Sequence, residues 1–150
     1  MFKIFYEDLK IGETEEFGSY LVTREEVIDF ASKYDPQPFH LDEELAKNSV
    51  FGDLCASGWH TGAMMMRMIV DRSIGTGFAS MGSPGLDTVE WRKPVFPGDT
   101  LSLRGKIIEM RESQSRPNLG LLKSEYEVLN QDGVIVMRVI ANSMMLKRPT

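Results

Sequence analysis

One cysteine, two histidines and no long apolar run restrict what this 150-residue chain can be. Cys55 has no cysteine to pair with, so no intramolecular disulfide is possible. That suits a reducing compartment, and the cytoplasm is the expected location. His40, His60 and Cys55 show no metal-ligand spacing, so no metal is expected. The net charge of −5 argues against nonspecific nucleic-acid binding. No stretch approaches a membrane-spanning length, and Met1–Asp8 lacks the apolar centre of a secretory signal, so no membrane association is expected. Repeats, linkers and low-complexity tracts are also missing, and the length suits one domain over residues 1–150. A domain of this size buries about 70% of its unfolded surface and needs neither disulfide nor metal to fold.

What the chain does contain is a legible order of elements. Glu15 to Thr23 predicts a strand. Thr23 is a good helix cap, with Glu26 at the capping-box position. Val27, Ile28, Phe30 and Ala31 then give the apolar face of a short helix ending near Tyr34. Asp42 caps a further helical turn. Ser57 to Asp71 predicts a longer helix, with Trp59, Ala63, Met66 and Val70 recurring at helical spacing and methionines filling the adjacent positions. Because it is apolar nearly all round, burial on most sides is expected. The ten methionines cluster here and at 144–145, where they suit irregular core or interface space. Ser73 to Gly85 predicts a loop. Strand patterns follow over Asp87–Val95, Leu101–Glu109, Gly120–Leu129 and Val134–Leu146, the last two flanking the hairpin signal Asn130-Gln-Asp-Gly133. One early strand, a buried helix and several antiparallel strands describe an α+β domain whose sheet curves around the helix.

The chemistry concentrates in Phe30-Ala-Ser-Lys-Tyr-Asp-Pro-Gln-Pro-Phe-His40. Pro36 and Pro38 fix their own φ and push the preceding residues out of the helical region, so Asp35 and His40 are carried on a stiff loop. A carboxylate and an imidazole held this way form a natural acid/base pair. From spacing alone, Asp35 reads equally well as a helix end and His40 as a satisfied loop histidine. His60, one turn into the apolar helix, reads as a packed histidine. Cys55 reads as a small buried hydrophobe.

Three segments together resemble the MaoC-like acyl dehydratases, which include the (R)-specific enoyl-CoA hydratases and have a hot-dog fold. They are Asp35-Pro-Gln-Pro-Phe-His40 with the following Leu41–Ala46, Ala56-Ser-Gly-Trp-His-Thr61, and Glu90-Trp-Arg-Lys-Pro-Val-Phe-Pro-Gly-Asp-Thr-Leu101. The likeness covers most of the chain in the family's order. It implies a curved antiparallel sheet wrapped around a central apolar helix. It implies that Asp35 and His40 hold and activate one water that adds to C3 of a trans-2-enoyl thioester. Negative charge then develops on the thioester oxygen, and a helix N-terminus offers free N–H groups to receive it. On that reading the Gly58 N–H is the oxyanion donor, Gly58 lets the ligand approach the backbone, and Ser57 is a positioning hydroxyl. Without the resemblance, Ser57 would be a helix cap and Gly58 a packing necessity. Gln37, a substrate-binding or positioning residue, stands where these hydratases carry Asn. Its amide reaches one methylene further, which implies a different acyl substrate or weaker activity on straight chains.

The expected substrate is an acyl-CoA thioester, with coenzyme A part of the substrate and no other cofactor. Arg67, Arg72, Arg92 and Lys93 are candidates for its phosphates, and none is assigned. A single curved sheet leaves edges to cover, and the resembled family pairs two such sheets. A homodimer or larger homo-oligomer is therefore expected, with the pocket near the subunit interface. Two other readings stay open: a hot-dog thioesterase, and a non-catalytic acyl-thioester-binding subunit.

Overall fold

The first helix starts at its expected cap. In the computed structural model, which describes every residue from Met1 to Thr150, strand β1 (Thr14–Leu21) leads into Thr23. The Thr23 hydroxyl oxygen accepts from the Glu26 N–H at 3.2 Å and opens α1 (Arg24–Tyr34). Only this half of the capping box forms, because the Glu26 carboxylate turns to Tyr20 and His60. Helix α1 buries Val27 and Ala31. One Asp42 carboxylate oxygen accepts from the Glu44 and Leu45 N–H groups and starts the short α2 (Glu43–Lys47).

Helix α3 (Gly58–Thr76) continues five residues past the expected end at Asp71 and takes up the start of the expected loop. Ser73 and Gly75 lower helix propensity by at most about 1 kcal/mol each. Arg72 outweighs that. It pairs with Glu15, and its guanidinium lies over the rings of Phe17 and Phe78, 5.2 and 4.0 Å from their centroids. The helix ends at Gly77, where φ is +77° and the N–H returns to the Ser73 carbonyl.

Four more strands complete the fold: β2 (Gly85–Trp91), β3 (Thr100–Glu112), β4 (Leu119–Leu129) and β5 (Ile135–Leu146). They form one antiparallel sheet in the order β1-β3-β4-β5-β2, so β1 and β2 are its edges. In the β4–β5 turn, the Asn130 side-chain oxygen accepts from the Asp132 and Val134 N–H groups, and Gly133 adopts φ +74°. Residues past Trp91 leave the sheet before Pro94, so β2 is shorter than the alternation to Val95 predicts.

The core joins Met64, Met65 and Met68 of α3 to Val22, Val27, Leu101, Leu103, Val128 and Val139. Each such side chain contributes about 1.5–3 kcal/mol by leaving water. Strand β1 bulges at Gly18, where φ is +86° and a Cβ would collide with the Met68 thioether. The sheet thus curves around α3 in the α+β hot-dog arrangement that the sequence implies.

One expectation about α3 fails. Trp59, Ala63, Met66 and Val70, the residues that carry the apolar period, face outward, and Ile74 continues their line. Trp59 is 65% exposed and Ile74 is 76% exposed. Within one chain the sheet covers only the side bearing Met64, Met65 and Met68. No helix is long and apolar enough to cross a membrane.

Candidate active site

Helix α1 stops at Asp35 because Pro36 follows it. Asp35 takes an extended φ of −151°, while its N–H still reaches the Ala31 carbonyl at 2.9 Å. Pro38 then opens a 3₁₀ turn that ends at His40. The chain from Leu54 to Ser57, buried throughout, runs alongside. The Cys55 N–H donates to the Phe39 carbonyl at 3.2 Å, and the Ala56 N–H donates to the Val95 carbonyl at 2.8 Å. These bonds bring the start of α3 against the Asp35–His40 loop.

His40 is 5% exposed. Its Nδ1 lies 2.7 Å from the Cys55 carbonyl oxygen. A carbonyl can only accept, so Nδ1 carries a proton, and in the neutral ring Nε2 is a lone-pair acceptor. Phe39 packs edge-on against the ring with centroids 4.6 Å apart, which holds its plane. Nε2 faces the Asp35 Oδ2 at 3.4 Å.

Both oxygens of the Asp35 carboxylate have donors. The Ser57 hydroxyl donates to Oδ2 at 2.7 Å, and the Gln37 amide donates to Oδ1 at 2.7 Å. Burial by itself would raise this carboxyl. The hydrogen bonds from Ser57 and Gln37, with a smaller electrostatic influence from His40, outweigh burial and hold it below the usual aspartate value. Burial, reinforced by the charge of Asp35, pushes the Cys55 thiol up to about 11, so it carries its proton at neutral pH. That suits a packed thiol and not a nucleophile.

Ser57 occupies the N-cap position of α3, but its hydroxyl caps nothing in the helix. It is turned to Asp35 instead. The N–H groups of Gly58, Trp59 and His60 therefore have no acceptor in the chain, as expected for an uncapped helix start. The structure gives a packing reason for glycine at 58. A Cβ there would lie 2.7–2.8 Å from the Trp91 indole, and the Trp91 ring N–H donates to the Gly58 carbonyl at 2.8 Å. Packing against Trp91 thus supplies one demand for glycine here, beside the ligand approach that the resemblance implies.

The residues singled out in the sequence thus converge: Asp35, Gln37, His40, Ser57 and Gly58 share one end of α1 and α3. Sequence reasoning missed two partners. The Cys55 carbonyl, which orients His40, is a backbone group with no residue signature. Trp91 lies 33 residues from Gly58, and nothing in its strand pattern announces the contact. Of the four candidate phosphate ligands, Arg67 pairs with Asp71, Arg72 with Glu15 and Arg92 with Glu90. Lys93 alone has no carboxylate partner.

Comparison with known proteins extends this picture. A family model described as a MaoC like domain matches residues 8–127. The crystal structure of the MaoC-like dehydratase from Rhodospirillum rubrum is similar with a TM-score of 0.89 at 36% identity, covering 99% of this chain and 100% of that one. Protein YdeM of Bacillus subtilis (strain 168) is 29% identical over 131 residues, 87% of this chain and 90% of its own length. The 3-hydroxybutyryl-CoA dehydratase of Methylorubrum extorquens is 26% identical over 137 residues, 91% of this chain and 84% of its own length. With a family model spanning most of the sequence and a relative matched from end to end, the chain belongs to the MaoC-like dehydratase family.

Proposed function

We propose that this protein is a hydro-lyase that adds water across a trans-2-enoyl-CoA to give a 3-hydroxyacyl-CoA, and catalyses the reverse dehydration. The observation that carries the reading is the facing of Asp35 and His40. With the Nδ1 proton committed to the Cys55 carbonyl, the neutral imidazole turns a lone pair at Nε2 toward a carboxylate oxygen 3.4 Å away. Two acceptors so placed suit a donor with two hydrogens, which is a water molecule. Held by both, that water is oriented and made nucleophilic.

In hydration the water oxygen bonds to C3, one of its O–H bonds breaks, and the pair takes the proton. The π electrons of the C2–C3 bond move to C2 and onto the thioester oxygen. The pair returns a proton to C2, so atoms and charge balance. The unpartnered Gly58 N–H at the positive end of α3 receives the developing oxyanion. Ser57 and Gln37 hold the Asp35 carboxylate in place. The name of the Methylorubrum extorquens relative, 3-hydroxybutyryl-CoA dehydratase, supports this chemistry.

The same reading puts two copies together in the cytoplasm. The outward stripe of Trp59, Met66, Val70 and Ile74 on α3 is uncovered within one chain, and Trp59 at its start packs edge-on against Trp91 of the open edge strand β2, ring centroids 5.0 Å apart. A second copy covers both if β2 pairs with β2 and α3 packs on α3, which removes the edge and the exposed apolar line together. The lone protonated thiol of Cys55 fits a reducing compartment.

Crotonyl-CoA tests the reaction. Hydration removes the conjugated enoyl absorbance with no release of thiol, and that is the expected result. Thiol release would identify a thioesterase. Saturable binding without either change would identify a non-catalytic subunit.

A further inference from the structure

The first turn of α3 is fastened by an indole and not by a side-chain cap. Trp91 closes β2, where it sits opposite Met137 of β5. The next N–H, that of Arg92, donates to the Val136 carbonyl at 2.8 Å and pins this strand end. From that anchor the Trp91 ring N–H donates to the Gly58 carbonyl at 2.8 Å. Ring atoms Cε2, Cδ2 and Nε1 lie 2.7–2.8 Å from the point that a Gly58 Cβ would occupy, so the indole sits directly on the Gly58 backbone. Trp59 packs edge-on against the same indole, with centroids 5.0 Å apart and planes at 76°. The chain has two tryptophans, and both are here.

The direction of the Trp91 bond matters. A capping side chain accepts from the first N–H groups of a helix and consumes them. An indole N–H is a donor only. Trp91 therefore fastens the turn through a carbonyl, and the N–H groups of Gly58, Trp59 and His60 stay free. The Gly58 carbonyl and the Trp59 N–H belong to one trans peptide plane, so fixing the first fixes the second. A bond accepted by the carbonyl also polarises the peptide and strengthens its N–H as a donor. The preceding peptide, which carries the Gly58 N–H, is tied through the Ser57 carbonyl to the Thr61 N–H at 3.0 Å. Two adjacent free N–H groups are thus held on one uncapped turn, next to the Ser57 hydroxyl that bonds Asp35.

We infer that Trp91 is a positioning residue of the reaction: its indole N–H holds the Gly58–Trp59 peptide so that the free N–H groups of the first turn of α3 meet the thioester oxygen. This rests on the hydratase reading and adds to it the group that aligns its oxyanion donors. Trp91 acts through the peptide and moves no proton. Donors for developing charge count most in the transition state, so loosening them slows the chemical step and leaves substrate binding largely as it was.

Trp91→Phe tests this, because it keeps an aromatic ring on Gly58 and removes the donor. With crotonyl-CoA, kcat and kcat/KM should fall together by roughly 10- to 100-fold. KM should stay near the wild-type value, and the acid limb of the rate profile, which reports Asp35, should not move. The absorbance of bound 2,4-hexadienoyl-CoA reads the donors directly. Hydrogen bonds to its thioester oxygen draw electron density from the diene and shift the band to longer wavelength. The wild type should show this red shift at saturation, and Trp91→Phe a smaller one. Folded Trp91→Phe with wild-type kcat and an undiminished red shift overturns the inference. So does a loss that comes with a raised KM or a displaced acid limb, since the whole site is then disturbed. A wild type that binds the dienoyl thioester with no red shift overturns it without any variant. The hydratase reading fails separately, if the wild type hydrates no thioester. The red shift of bound dienoyl-CoA then still decides the role of Trp91, and if no thioester binds, both fall.

Discussion

The Ser57 hydroxyl donates to Asp35 Oδ2 at 2.7 Å across 22 residues of sequence. The bond joins the last residue before α3 to the first residue after α1, and through it a helix N-terminus and the Asp35–His40 pair share one site. It also leaves the first turn of α3 without its side-chain cap. A Ser at this position ordinarily contributes about 1 kcal/mol by bonding its own helix. Here that bond is replaced by one that fixes a carboxylate, and the freed N–H groups stay available to a ligand.

Asp35→Asn and His40→Ala should each lower hydration of a competent enoyl-CoA by about 10²–10⁴-fold, with the circular dichroism of the fold unchanged. The double variant should fall little further than the worse single one, because both groups serve one water. Steady-state kinetics on purified variants measures this. Turnover near the wild-type level in either single variant would show that another group activates the water.

The acid limb of the rate profile should move in Ser57→Ala. The folded Asp35 carboxyl lies below its usual value, so Asp35 stays ionised to lower pH than an ordinary aspartate would, and this carboxylate is one of the two groups on which the acid limb of the proposed reaction depends. Removing the Ser57 hydrogen bond raises the carboxyl value and shifts the limb toward neutral pH. Gln37→Ala should shift it the same way. The sign for stability is parallel. A depressed carboxyl stabilises the fold above the unfolded value of about 3.9, and the contribution disappears as pH falls through the folded value. Both variants should therefore show a smaller loss of stability on acidification than the wild type. Rate profiles and urea melts taken over the acid range read the two effects independently.

Gly58→Ala should destabilise the protein by about 1–3 kcal/mol, because the added methyl meets the Trp91 indole at 2.7–2.8 Å. The melting temperature should drop by roughly 2–4 °C per kcal/mol. Pairing Gly58→Ala with Trp91→Ala should recover part of that loss relative to Trp91→Ala alone, since the clash is then gone. A Gly58→Ala variant as stable as the wild type would mean that the indole moves aside freely.

Met66→Glu should convert a dimer into a monomer. The substitution puts a carboxylate in the middle of the apolar α3 stripe, where covering it without a partner costs roughly 3–5 kcal/mol. Light scattering at micromolar concentration should give the mass of two chains for the wild type and of one for the variant. A wild type that is monomeric and fully active would remove the reason for the exposed stripe.

Local physics carried much of this molecule. Thr23 and Asp42 cap the helices they precede, Asn130-Gln-Asp-Gly133 turns the last hairpin, and the two prolines stiffen the Asp35–His40 loop. Each depends on a few neighbouring residues, so each is readable in the order of the chain. The strand pattern and the α+β class follow for the same reason, since alternation of apolar side chains is a local property. Other features were settled only by packing. The α3 period marks the outward face and not the core, because hydrophobicity alone does not say whether a surface meets its own sheet or a second chain. The helix runs to Thr76 because Arg72 finds Glu15 and two aromatic rings far away in sequence. The tautomer of His40 is set by a backbone carbonyl, and the Gly58 peptide is held by an indole 33 residues away. Residue identity supplied the chemical groups. Their protonation, direction and unsatisfied valences depend on long-range contacts, and only the folded chain makes those.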